Sequence, residues 1–101
     1  MPVIAILGLG EAGSAIAADL VALGVRVRGY DPIPERSVAG LERVGSEIEA
    51  VRGAHVILSV NWARVALEVA QTVAPTLGPG QLFADLNTAA PALKQSLAAV
   101  L

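Results

Sequence analysis

Ile6-Leu7-Gly8-Leu9-Gly10-Glu11-Ala12-Gly13-Ser14 reads as G-x-G-x-x-G set between an apolar run and a helical pattern. Residues 2–7 are rich in β-branched side chains and predict a buried strand; over residues 13–23, Ile16, Leu20 and Leu23 recur at helical intervals. The bend between them suits a pyrophosphate. Gly8 allows a tight turn, Gly10 admits backbone close to phosphate oxygens, and Gly13 lets the helix pack on the strand. Leu9, Glu11 and Ala12 supply the intervening backbone, whose free N–H groups act with the helix dipole to favour an anion. Glycines that merely punctuate a turn are the competing explanation. The strand before, the helix after and an acidic residue downstream argue against it.

At 101 residues the chain is one domain, long enough for a core but short for a dinucleotide fold of two complete halves. Its 54% hydrophobic and 16% charged residues exclude a disordered chain and fit a sheet buried on both faces. Charged residues, Gly or Pro interrupt every apolar stretch before about 18 residues accumulate, so no membrane helix is expected. No basic segment precedes the first apolar run, which argues against a secretory leader and makes the cytoplasm the expected location. There is no cysteine, hence no disulfide framework and no thiolate metal site; no metal is expected. A net charge of −2, with Arg26, Arg28, Arg36, Arg43, Arg52 and Arg64 scattered, offers no basic field for nucleic acid.

Leu23-Gly24 signals the end of the first helix, and residues 25–30 follow as a second strand closed by Asp31. In a βαβ nucleotide fold an acidic side chain at this point accepts hydrogen bonds from the adenosine ribose; alternatively, Asp31-Pro32 only opens a turn. A 2′-phosphate about 4 Å from a carboxylate meets repulsion of roughly 4 kcal/mol at an effective dielectric near 20, so Asp31 favours NAD. Arg36, if turned back over the ribose, would make NADP acceptable. Residues 34–44 read as a short helix with Val38, Leu41 and Val44 on one face, and the usual third strand is short or missing. Ser46 with Glu49 reads as a capping box for one further turn ending at Arg52-Gly53.

Residues 55–60 form the next strand, with His55, the sole histidine, at the end remote from the glycine loop and therefore structural. Parallel strands carry their C-terminal ends to one edge, so Ser59, Val60 and Asn61 should lie beside that loop. Asn61 is expected to cap the helix of residues 62–73, to border nicotinamide, or both; Val65, Val69 and Val73 read as that helix's buried stripe. Trp62 could stack on a ring, although packing is its commoner role. After a turn cluster at 75–80, residues 81–86 form the last strand, and Asn87-Thr88 leave it at the same edge. Pro91 opens a final helix with Leu93, Leu97, Val100 and Leu101 on one side. No closing signal follows, so the domain is expected to be incomplete at its C-terminus. The fold class is α/β: a partial doubly wound parallel sheet of four to five strands with helices on both faces.

Gly8-Leu9-Gly10-Glu11-Ala12-Gly13-Ser14, Tyr30-Asp31-Pro32 and Asp85-Leu86-Asn87-Thr88-Ala89-Ala90-Pro91 together resemble the N-terminal NAD(P)-binding Rossmann domain of the β-hydroxyacid dehydrogenase family, which includes 6-phosphogluconate and 3-hydroxyisobutyrate dehydrogenases. The glycine motif suits many nucleotide folds; the later Asp-x-x-Thr-x-x-Pro segment narrows the match. That segment commonly reads Asp-x-Ser-Thr in the family, with its hydroxyls near nicotinamide and substrate. Here Asn87 replaces the serine while Thr88 is kept. The resemblance implies a dinucleotide partner and hydride transfer to or from a small hydroxyacid. It also implies a substrate loop, a catalytic lysine and a helical domain that this stretch lacks, Lys94 being its only lysine. No catalytic residue is therefore expected within the chain beyond substrate contacts from Asn87 and Thr88. A non-catalytic dinucleotide-binding module and a self-associating half-fold are the alternative readings; homo-oligomerisation would cover apolar surface.

Overall fold

A computed structural model of the chain describes residues 2–87 and 91–101. Its elements run β1 (Val3–Leu7), α1 (Glu11–Ala22), β2 (Arg26–Tyr30), β3 (Glu42–Arg43), α2 (Glu47–Val51), β4 (Val56–Ser59), α3 (Ala63–Val73), a 3₁₀ turn (Ala74–Thr76), β5 (Leu82–Asp85) and α4 (Pro91–Val100). The five strands form one sheet in the order β3-β2-β1-β4-β5, and every pairing is parallel.

Alternation along β1 builds the layers. Val3, Ala5 and Leu7 face Ala50, Val51 and Val73 from α2 and α3, whereas Ile4 and Ile6 face Ala17 of α1. β1 is consequently covered on both sides, which is why its sequence is apolar at every position. Burial of Ile6, Leu7 and Ile57 stabilises the fold by about 1.5–3 kcal/mol each. A third cluster joins α3 to α4 through Ala66, Ala70 and Leu97. Because the chain moves from β1 to β2 and β3 and then crosses to β4 and β5, connections diverge beside β1. Their divergence opens a crevice at the C-terminal strand ends.

Residues 34–44, expected as a helix, instead form an irregular loop leading into the two-residue β3. On a helix Leu41 and Val44 would share a face; here Leu41 joins the cluster under α1 and Val44 the cluster on the opposite side of the sheet. Arg43 holds the loop open. Its Nη2 donates to the carbonyls of Asp31 (2.5 Å) and Ile33 (3.0 Å), and its Nε donates to Arg36 (2.8 Å). The guanidinium has thus tied down carbonyls before and within this stretch, that of Arg36 being one a helix would have used internally. The capping-box expectation holds at Ser46, whose side chain accepts from the Glu49 N–H at 3.1 Å, although the reciprocal Glu49 carboxylate reaches Gly45.

Two further expectations are corrected. The N-cap of α3 is Trp62, not Asn61, whose amide is engaged elsewhere. The fully buried stripe of α3 is Ala66, Ala70 and Val73, with Val65 and Val69 only half-buried, because this helix packs on α4 as well as on the sheet. His55 is structural as read: its Nδ1 accepts the Val3 N–H at 3.0 Å. Among the described residues no helix is long and apolar enough to cross a membrane, and no acidic or histidine cluster could hold a metal.

Candidate functional site

The crevice is a cleft of about 930 Å³ lined by the glycine loop, Asp31, the loop after it, Val60, Asn61, Asn87 and one face of α3. Three backbone facts shape its floor. Gly8 has φ 114°, and a Cβ there would lie 2.0 Å from the Val60 carbonyl oxygen; a Cβ on Gly13 would lie 1.8 Å from the Gly8 oxygen. Both positions are held to glycine by the protein's own packing. Gly10 differs: its φ of −69° suits any residue, and a Cβ there would meet only Arg36 Nη1, at 3.7 Å.

Helix α1 starts at Glu11 with no side-chain cap, its first internal bond being Ser14 N–H to the Gly10 carbonyl at 2.9 Å. The N–H groups of Glu11, Ala12 and Gly13 are therefore without intrahelical acceptors, and all three residues line the cleft. Aligned amides at the positive end of a helix make an anion site. Leu9 plays another part. Its side chain is buried in the α1 cluster, and its N–H donates to Asp31 Oδ2 at 2.8 Å.

Asp31 is 3% exposed. Its Oδ1 accepts from the Ile33 N–H at 2.8 Å, and Arg36 Nη1 stands 3.3 Å from Oδ2. Burial alone would raise its pKa, but the two backbone donors and the guanidinium outweigh it and hold the carboxyl below its ordinary value. Asp31 is thus an ionised strut between the β2 end and the glycine loop, with part of its acceptor capacity already spent. Arg36 lies across the loop beside it, the arrangement the sequence could offer only as an alternative.

At the other end, Asn61 and Asn87 form a reciprocal pair. Asn87 Oδ1 accepts the Asn61 N–H at 2.6 Å, and Asn87 Nδ2 donates to Asn61 Oδ1 at 3.0 Å and to Asp85 Oδ1 at 2.5 Å. Asn61 Nδ2 donates to the Leu7 carbonyl (3.3 Å) and Ser59 Oγ (3.0 Å). Lys94 of α4 closes the network on Asp85 Oδ2.

Gly8, Gly10, Glu11, Ala12, Gly13, Asp31, Val60, Asn61 and Asn87 thus meet in one cleft, while Leu9 lies beneath it and Thr88 falls outside the described residues. Of the opposing wall the sequence reading offered only Trp62, as a ring contact, and missed the rest. Val65, Glu68, Val69 and Thr72, at helical spacing, line the cleft together with Ile33 and the 69%-exposed Trp62. The available signal was that Val65, Val69 and the two polar residues share a single face of α3.

The NAD binding domain of 6-phosphogluconate dehydrogenase matches residues 3–101. A probable 3-hydroxyisobutyrate dehydrogenase of Mycobacterium tuberculosis is 34% identical over 93 residues, covering 87% of this chain and 32% of the relative. The structure of 3-hydroxyisobutyrate dehydrogenase from the same organism, determined with L-serine, superposes with a TM-score of 0.89 at 31% identity, covering 99% of this chain and 36% of that one. A conserved hypothetical protein from Sinorhizobium meliloti superposes at 0.86 with 30% identity, over 99% and 37% of the respective chains. The chain thus spans about a third of the length of these relatives.

Proposed function

We propose, from the premise that this chain belongs to the family of the NAD binding domain of 6-phosphogluconate dehydrogenase, that it is the cofactor-holding part of an oxidoreductase acting on a small β-hydroxyacid. The observation that carries the proposal is the uncapped start of α1, where three amides open onto a cleft and Gly10 leaves room for phosphate. The residues present fit a dinucleotide. The amides of Glu11, Ala12 and Gly13 would hold the pyrophosphate, Asp31 the adenosine ribose, and Val60, Asn61, Asn87 and Thr88 the nicotinamide end. When bound, the dinucleotide supplies a hydride carrier, and the chain's own groups orient it. A hydroxyacid and its acid–base group would come from a further domain.

Cofactor choice turns on Asp31 and Arg36. The carboxylate favours the ribose diol of NAD, while the guanidinium 3.3 Å away offsets repulsion of a 2′-phosphate. The expected behaviour is NAD preferred and NADP accepted. Calorimetric titration with ADP-ribose, NAD and NADP tests the proposal: saturable binding of all three is expected. Absence of binding by ADP-ribose, which contains the pyrophosphate and both adjoining riboses, would overturn it.

A further inference from the structure

We infer that the Asn61–Asn87 pair at the nicotinamide end of the cleft offers the carboxamide acceptors alone, and that Asp85 is the positioning residue that makes it so. The inference rests on the dinucleotide reading above and follows from a count of donors. A primary amide has two N–H hydrogens and an oxygen with two lone pairs. In Asn61 both hydrogens are engaged, by the Leu7 carbonyl and Ser59 Oγ. In Asn87 both are engaged too, by Asn61 Oδ1 and Asp85 Oδ1. Each amide oxygen accepts one bond among the described residues and retains one lone pair. Asn61 and Asn87 both line the cleft, so the two side chains offer acceptors to a ligand there and no donor.

Asp85 sets this polarity. Its Oδ1 receives both the Asn87 side-chain amide and, at 3.3 Å, the Asn87 backbone N–H, while Lys94 holds the other carboxylate oxygen. An acceptor at that position requires the nitrogen of Asn87, not its oxygen, to point toward Asp85. The oxygen is then turned to the Asn61 N–H. The carboxamide of nicotinamide has one acceptor and one NH₂ donor, and an acceptor-only asparagine pair recognises the NH₂. A ring bearing a methyl ketone in place of the carboxamide leaves those lone pairs unanswered.

Binding of NAD and of 3-acetylpyridine adenine dinucleotide to the 101-residue chain tests this, because the two ligands differ only in NH₂ against CH₃. The expected result is binding of NAD tighter by about five- to tenfold, the loss of roughly one hydrogen bond. Asp85→Ala should shrink that ratio toward one, because Asn87 is released to turn, while ADP-ribose still binds. Asp85→Asn, which can keep an acceptor toward Asn87, should retain the ratio. Equal binding of the two dinucleotides to the unmodified chain overturns the inference, and that comparison stands even if Asp85→Ala does not fold. An unchanged ratio in folded Asp85→Ala overturns the positioning role. Failure of ADP-ribose to bind the unmodified chain overturns the dinucleotide reading itself, a separable outcome.

Discussion

Replacing Gly10 with valine separates a ligand-binding glycine from a structural one. The φ and ψ of Gly10, −69° and −161°, are open to L residues, and the added Cβ meets nothing nearer than Arg36 Nη1 at 3.7 Å. The folded state should tolerate the change: the backbone is unstrained for valine, and the gain of about 0.4–1 kcal/mol from narrowing the unfolded ensemble is set against the poorer N-cap that valine makes for α1. Binding should suffer, because the branched side chain occupies space that phosphate oxygens need to reach the α1 amides. Hydrogen bonds to a charged group contribute about 1.5–3 kcal/mol each, so losing one weakens binding by roughly tenfold to a hundredfold. Thermal unfolding and titration with ADP-ribose read the two effects separately. Gly8→Ala and Gly13→Ala are the contrast: their methyl groups would lie 2.0 Å and 1.8 Å from carbonyl oxygens, and both should lose stability first. Undiminished affinity in folded Gly10→Val would refute the placing of pyrophosphate at this bend.

Arg36→Ala should weaken NADP binding more than NAD binding, since the guanidinium offsets the Asp31 charge; an unchanged ratio of the two dissociation constants would contradict that role. Asp31 predicts a pH dependence of known sign. Its carboxyl is depressed in the folded state, so its contribution is complete above the ordinary carboxyl value of 3.8 and is lost as pH falls through the lower folded value. The melting temperature of Asp31→Asn should therefore approach that of the unmodified chain in this acidic window; a constant gap down to the acid limit would exclude the linkage. Trp62, the only tryptophan, lines the cleft, and its emission should change when NADH is titrated in, with His55→Ala leaving that titration curve unaltered. Leu82 and Leu86 are exposed on and beside β5, so self-association is expected; a stable monomer at high concentration in sedimentation experiments would refute it.

The glycine bend, the alternation of strands and helices, and Asp31 at the end of β2 were all legible in the sequence, because each depends on neighbours within a few residues or on one periodicity. The covering of β1 on both faces was legible too, from its unbroken apolar run. Residues 34–44 were not. Their apolar spacing fits a helix, but long-range packing sent Leu41 and Val44 to opposite sides of the sheet, and Arg43 captured the loop carbonyls.

Local pattern alone determined that a glycine-rich strand-to-helix turn opens a parallel sheet, and that Asp31, Asn61 and Asn87 lie at the same edge. Tertiary structure decided which atoms of those residues remain available. Asp31 meets Leu9 across 22 positions and Asn61 meets Asn87 across 26. Composition and spacing name the side chains, whereas hydrogen-bonding capacity is spent on partners that only the folded chain brings together.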